Sequence, residues 1–201
     1  MTNFSPELNW LIGSRICHDI ANPLGAIGNG IELVQMTGAA TGPEIDLVIG
    51  SHQAAVARLN LFRLAFGASA ADQTVTGQQL ADLRASLAQG RNVSLDWDSP
   101  GDLNRDDARL AALLLMTGET MLAYGGKMAL SSQMGGFTLR LKADRLRAEA
   151  EIIDYLTNPA APLPPASEVH LTLTRLAAEA TGRTIRVTGD TAQSMAIHAS
   201  R

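Results

Sequence analysis

The chain has 201 residues, 46% hydrophobic and 18% charged, which is enough apolar side chain for one large domain or two small ones and does not fit a disordered chain. Aromatic residues are only 4%, so any core must be built from small and branched aliphatic side chains, as in helix bundles. A net charge of -4 and a pI near 5.5 argue against nucleic acid as a partner, and the longest apolar run, Leu110 to Met116, falls far short of the roughly 20 residues a membrane span needs.

The N-terminus, MTNFSPELNW, lacks a basic stretch leading into an apolar core and a cleavage site, so no secretory signal is read and a cytoplasmic protein is expected. Ser5 reads as a helix N-cap, with Pro6 at the first helical position and Glu7 in the first turn, where the positive helix end favours an acid. The helix is expected to run to about Met36 and to stop at Gly38, a length near 50 Å at about 1.5 Å per residue. Cys17 is the only cysteine, which excludes an internal disulfide and any multi-cysteine zinc site. A second helix is expected from Pro43, with Ile45, Val48, Ile49, Ala55, Val56, Leu59, Phe62 and Phe66 at helical spacing. The short connection makes the two helices antiparallel neighbours. Each then carries an apolar stripe that a lone hairpin cannot cover, so dimerisation into a four-helix bundle is expected; the alternative is that the rest of the chain covers the hairpin.

Gly67 to Asp72 (GASAAD) marks a boundary and divides the chain into residues 1–70 and 71–201. Beyond it, Thr76-Gly77-Gln78-Gln79 resembles a capping box opening a helix to about Gln89, and Asn92 to Trp97 alternates like a strand. Asp102 to Asp107 (DLNRDD) caps a helix expected over Asp102 to Ala123. Two strands follow, Lys127 to Gln133 and Phe137 to Lys142, with a hairpin signal at Gly135-Gly136. A helix is expected over Asp144 to Leu156, then a proline-rich loop (NPAAPLPPAS), a helix from Ser167 to Thr181, and strands Thr184 to Thr188 and Gln193 to Ala199. This order makes an α+β sandwich with helices on one face of a mixed sheet.

Within the first helix, residues 14 to 27 read SRICHDIANPLGAI. At 100° per residue, Ile16, Ile20, Pro23, Ile27, Ile31 and Val34 gather opposite His18 and form the buried stripe, so His18 faces solvent. Leu11, Ser14, Arg15, Ala21, Asn22, Gly25 and Asn29 share its side. A solvated helix face usually carries Glu and Lys, whereas this one is small, neutral and partly apolar, as a docking face would be. Glycines at 25, 28 and 30 each cost roughly 1 kcal/mol in a helix interior and Pro23 costs more, which points to close approach of another backbone or a required bend. A tightly packed helix crossing with His18 as an incidental surface histidine is the competing reading.

The run His18-Asp19-Ile20-Ala21-Asn22-Pro23-Leu24 resembles the H-box of sensor histidine kinases: histidine, acid, aliphatic, any residue, Thr or Asn, Pro, and often Leu. An exposed neutral imidazole is a good nucleophile toward a phosphoryl group, and a neighbouring carboxylate can hold its tautomer. The resemblance implies that His18 is phosphorylated, that Asp19 orients and activates it, and that Asn22 hydrogen-bonds the phosphoryl group or an attacking water. The order of elements after residue 70 resembles the kinase ATP-binding domain, but its working parts are missing. Where the magnesium-binding Asn helix belongs stands RLAALLLMTGETMLAYGG, with Met116, Thr117 and Glu119; no Asp-x-Gly-x-Gly occurs, and RLRAEAEIIDYLTNPAAPLPPAS in place of the ATP lid contains no Gly.

A hairpin bearing an H-box, followed by a degenerate Bergerat (histidine kinase ATPase-like) sandwich, is similar to the bacterial histidine phosphotransferases of the ChpT type. That resemblance implies a homodimer without ATP or any bound cofactor or metal of its own. It would accept phosphate from the receiver domain of a hybrid kinase of the CckA type, with Mg²⁺ held by the receiver, and pass it to response regulators of the CtrA type. His18, Asp19 and Asn22 would carry the chemistry, and Leu11, Ser14, Arg15, Ala21, Gly25 and Asn29 would meet the receiver. Arg15 is the side chain most expected to meet phosphate or the receiver's acidic cluster, with Arg58 and Arg63 as lesser candidates. His52, His170 and His198 are expected to be structural or solvated, and Cys17 to be a packing residue. A scaffold that only sequesters regulators and an atypical ATP-dependent kinase remain as alternatives.

Overall fold

The structure is a computed structural model and describes residues 6–37, 42–67, 73–88, 92–98, 101–133, 135–190 and 192–201. Within α1 the side chains of residues 6–11, 13, 14, 17 and 35 lie outside the described set, as do the expected cap Ser5, the stop at Gly38, most of the boundary segment and the end of the next helix at Gln89.

Two long helices, α1 (Pro6–Thr37) and α2 (Pro43–Phe66), pack against each other as a hairpin. Pro43 opens α2 as expected, with Glu44 and Asp46 in its first turn, where acids oppose the exposed N–H groups. Their tightest crossing is at Gly30, buried against Val48: a Cβ at position 30 would overlap the Val48 side chain. At Gly25 and Gly28 a Cβ would meet nothing within 4 Å, so packing within this chain does not require them to be glycine. Of the expected stripe, Ile16, Ile20, Pro23, Ile27 and Val34 are half-buried, but Ile31 is exposed, as is Leu24 beside it. One neighbouring helix covers only a narrow strip of a helix surface, so the flank of the stripe stays open.

The chain then forms β1 (Thr74–Val75), α3 (Gly77–Ala88), β2 (Val93–Asp98), β3 (Leu103–Asn104), α4 (Arg105–Met121), β4 (Gly126–Gln133), β5 (Gly136–Lys142), α5 (Ala150–Thr157), a 3₁₀ turn (Ala166–Glu168), α6 (Val169–Ala180), β6 (Thr184–Asp190) and β7 (Ser194–Ser200). Five strands make one mixed sheet in the order β2-β4-β5-β7-β6, with β2 parallel to β4 and the other pairs antiparallel. This is the expected α+β sandwich.

The capping box at Thr76 is reciprocal: its backbone N–H donates to Gln79 Oε1 at 2.9 Å, and the Gln79 N–H donates to Thr76 Oγ1 at 3.3 Å. The cap of α4 is Asn104, whose Oδ1 accepts from the Asp107 N–H at 2.9 Å. Two expectations shift. In the β4–β5 hairpin the described turn residue is Gly135, at φ 74, whereas Gly136 already pairs with Gln133. The helix expected from Asp144 begins only at Ala150, because the N–H groups of Ala143, Leu146 and Arg147 are spent on the carbonyls of Gln193, Ala192 and Met121. The small β1–β3 ladder gave no sequence signal, since two residues are too few for periodicity to show.

Helix α4 is the centre of the molecule. Leu110 to Met116 are all buried, as befits a helix enclosed on every side. One side of it meets the sheet through Met128, Leu130, Leu139 and Leu141; at Gly118 a Cβ would lie 3.2 Å from Met128 Sδ and 3.3 Å from Leu139 Cδ2, so the helix sits flush on the strands. Its other side meets α2 and α6. Arg105, at the start of α4, closes the end of α2: its guanidinium donates to the carbonyls of Leu64 (2.5 Å), Arg63 (2.6 Å) and Gly67 (3.4 Å), and Arg109 adds a second bond to Gly67 at 2.9 Å. The Arg63 carbonyl also accepts from the Gly67 N–H at 3.1 Å, whereas those of Leu64 and Gly67 lie past the last helical pairing and are met by cations where the negative helix end favours them. The hairpin is thereby fixed to the sandwich. Among the described residues no helix is long and apolar enough to cross a membrane.

Candidate functional site

His18 lies mid-way along α1, its side chain 70% exposed. Its Nδ1 is 3.0 Å from Oδ1 of Asp19. A carboxylate only accepts hydrogen bonds, so Nδ1 carries the proton and Nε2 keeps its lone pair toward solvent. Asp19 is nearly covered, and its second oxygen, Oδ2, is 2.8 Å from Nε of Arg15 one turn earlier. Arg15 in turn donates through Nη1 to the backbone carbonyl of Ser167, in the 3₁₀ turn of the sandwich, at 2.5 Å. His18, Asp19, Arg15 and Ser167 form one connected line from solvent into the junction between hairpin and sandwich.

Around His18 on the same side, Ala21, Asn22, Gly25 and Asn29 are all exposed, as the helical wheel places them. The side chains of Leu11 and Ser14 lie outside the described set. Arg15 departs from its expected direction: its side chain is only 15% exposed and turns into the junction. The physical reason is its position on the wheel about 60° from His18, at the edge of the strip that meets the sandwich, where two acceptors wait for its guanidinium.

Behind Arg15 the junction is polar. Arg58 of α2 pairs with Glu119 of α4 at 2.7 Å, both nearly covered, so Arg58 is spent on the sandwich, whereas Arg63 is exposed farther along α2. His170, at the start of α6, is fully buried; Thr120 Oγ1 is 2.9 Å from its Nε2, and its Nδ1 has no partner among the described residues. Burial, with Arg15, Arg58 and Arg147 nearby, pushes its pKa down to about 3, so it stays neutral. Burial also lowers the pKa of Arg15 from the ordinary arginine value, an effect that the attraction of Asp19 opposes. His52 is exposed on α2, and His198 sits between the hydroxyls of Thr138 and Thr188 at 3.2 and 3.0 Å. Both fit the structural or solvated roles expected of them. No group of three metal-ligating side chains occurs among the described residues.

The junction was not legible in the sequence. Arg58 and Glu119 are 61 positions apart, and Arg15 meets Ser167 through a backbone carbonyl, which has no residue signature. The arrangement at His18 suits nucleophilic phosphoryl transfer: a free imidazole nitrogen, its partner nitrogen held by a carboxylate, and a clear surface of small side chains.

Comparison with known proteins identifies the family. The family described as histidine phosphotransferase C-terminal domain matches residues 78–193. Protein phosphotransferase ChpT of Brucella abortus (strain 2308) is 32% identical over 190 residues, covering 90% of each chain. A solved bacterial phosphotransferase superposes with a TM-score of 0.80 at 26% identity, covering 100% of this chain and 98% of its own. With most of α4, the sheet and α6 inside the matched family region and a 32% identical relative spanning nearly the whole sequence, the chain belongs to the histidine phosphotransferases of the ChpT type.

Proposed function

We propose that His18 is the residue that carries the phosphoryl group in this phosphorelay transferase. The observation that carries the reading is the exposed imidazole whose Nδ1 is paired with Asp19 while Nε2 stays free. A receiver's aspartyl phosphate, with the receiver's own Mg²⁺ offsetting phosphate charge, docks over the face of Ala21, Asn22, Gly25 and Asn29, with Leu11 and Ser14 about two turns and one turn before His18. Nε2 attacks phosphorus in line; the N–P bond forms as the O–P bond breaks, and the aspartate carboxylate leaves with the electron pair. The imidazolium that results keeps its Nδ1 proton toward Asp19, so no proton has to move. Transfer to a second receiver reverses these steps. Asn22, one turn after His18, offers its amide to the phosphoryl oxygens.

The phosphoryl source in this reading is a phosphoaspartate, not ATP. On α4, which by order of elements stands where a kinase would carry its magnesium helix, Thr117 is fully buried with its hydroxyl on Leu113 O and Thr174 Oγ1, and Glu119 is paired with Arg58. The donor is a hybrid-kinase receiver of the CckA type and the acceptors are regulators of the CtrA type, in the cytoplasm.

The functional unit is a homodimer. Ile20, Leu24, Ile27, Ile31 and Val34 on α1 and Ile45, Ile49, His52, Val56 and Leu59 on α2 follow alternating spacings of four and three, the period of a helix-bundle seam. Leu24, Ile31, Ile49, Val56 and Leu59 in those rows are exposed in the single chain. A second copy covers them.

Incubation with a phosphorylated receiver tests the reading. The wild-type protein gains acid-labile label, and His18→Ala gains none; label retained by His18→Ala overturns the assignment.

A further inference from the structure

Asp19 has two carboxylate oxygens and two partners. Oδ1 faces His18 Nδ1, and Oδ2 faces Arg15 Nε. Arg15 is held from its other end by the Ser167 carbonyl. Ser167 belongs to the short turn Ala166–Glu168, itself fastened by the Glu168 N–H to Pro165 O at 2.9 Å and by the ion pair between Glu168 and Arg147. The other nearby cation, Arg58, is engaged by Glu119. Arg15 is therefore the group placed to fix Asp19, and the sandwich fixes Arg15.

We infer that Arg15 is a positioning residue for phosphotransfer, through which the C-terminal sandwich sets the tautomer of His18. This rests on His18 being the phosphorylated residue and gives the sandwich a part in the chemistry. An imidazole left to water favours the proton on Nε2, the nitrogen that must attack; a carboxylate fixed beside Nδ1 reverses that preference and frees the Nε2 lone pair. An exposed, unbraced Asp19 would exchange between rotamers and share its oxygens with water. The charge of Arg15 restricts that freedom: its guanidinium, hydrogen-bonded through Nη1 to the Ser167 carbonyl, stands 2.8 Å from Oδ2 and holds the carboxylate in place by ion pairing. Arg15 acts through Asp19 and does not touch the phosphoryl group.

The test uses the full-length protein with ¹⁵N-labelled histidine, His18 resonances being assigned by their loss in His18→Ala, alongside the rate of phosphoryl transfer from a phosphorylated receiver. In the wild type, ring ¹⁵N shifts at alkaline pH report His18 mainly as the Nδ1–H tautomer. Arg15→Ala is expected to move it mainly to the Nε2–H form and to slow transfer roughly tenfold or more. Arg15→Lys, which keeps a cation one turn before Asp19, restores most of both. If Arg15→Ala melts below the assay temperature, Arg15→Gln, which keeps the stem and removes the charge, is judged on the same two readouts. Wild-type tautomer and rate in the charge-removed variant, or failure of Arg15→Lys to restore either, overturn the inference. Label retained by His18→Ala instead overturns the assignment of His18, so the two failures are told apart.

Discussion

At the scale of single residues, two histidines on neighbouring elements are put to opposite uses by burial. His18 is in water and paired with a carboxylate, so its ring can accept a phosphoryl group and bear the resulting charge. His170 is enclosed, faced by Arg15, Arg58 and Arg147, and holds no proton until about pH 3. That depression has a thermodynamic consequence. In the unfolded chain His170 takes up a proton below its ordinary value of about 6.5, whereas the folded protein refuses it, so the stability associated with neutral His170 is complete above about pH 6.5 and is lost as the pH falls toward 3. Acidification from about pH 6.5 to about pH 5 should cost about 2 kcal/mol through this group. Thermal melts across that window check it: His170→Gln should show a shallower loss of Tm with acidification than wild type, and equal slopes would remove His170 as the cause. The grouping of His18, Asp19 and Asn22 was legible in the sequence because they are neighbours on one helix, where 100° per residue fixes who shares a face. The direction of Arg15 was not, since the wheel places a side chain without saying what stands beside the helix.

Among elements, α1 separates two reasons for glycine that look identical in sequence. Gly30 is required by packing, because a Cβ there meets Val48 and the Glu44 carbonyl. Gly30→Ala should destabilise the protein by about 1–3 kcal/mol through overpacking. Gly28 faces open space, and Gly28→Ala should stabilise the helix by about 1 kcal/mol. Gly25 is equally open but lies beside Asn22 on the His18 side, so Gly25→Ala should raise stability by a similar amount while slowing transfer from a receiver. Chemical denaturation and transfer kinetics on the three variants check these signs; a destabilised Gly28→Ala would show that something else occupies that face. The start of α5 belongs to the same scale. Asp144 to Glu149 have no sequence feature that forbids a helix, and only the carbonyls of Ala192 and of Met121, at the end of α4, draw the N–H groups of Leu146 and Arg147 away from helical pairing.

For the whole molecule, the apolar rows on α1 and α2 are the features that the single chain leaves unfinished. Ile49→Glu places a charge in the middle of the α2 row, where an exposed monomer would tolerate it and a bundle would not. The wild type should sediment as a dimer and Ile49→Glu as a monomer; a wild-type protein monomeric at micromolar concentration would leave the rows without the second copy proposed for them. The sandwich holds the hairpin along the half that contains the end of α2. Arg105 and Arg109 seal the end of α2, while Arg15 and Arg58 join its middle to the 3₁₀ turn and α4, so the helix pair is fastened at two separate places.

By itself the sequence determined the two long helices, the H-box and its face, the strand and helix order of the sandwich and the family resemblance, because each of these rests on spacing within a single element or on residues adjacent in the chain. Tertiary structure decided what no local pattern carries: that Arg15 turns inward, that Arg58 meets Glu119 across 61 positions, that His170 is buried neutral, and that of Gly25, Gly28 and Gly30 packing within the chain needs Gly30 alone. The physical reason is common to all four. Burial and pairing depend on which surfaces the fold brings together, and those surfaces come from parts of the chain too far apart for one helix wheel or strand register to relate them.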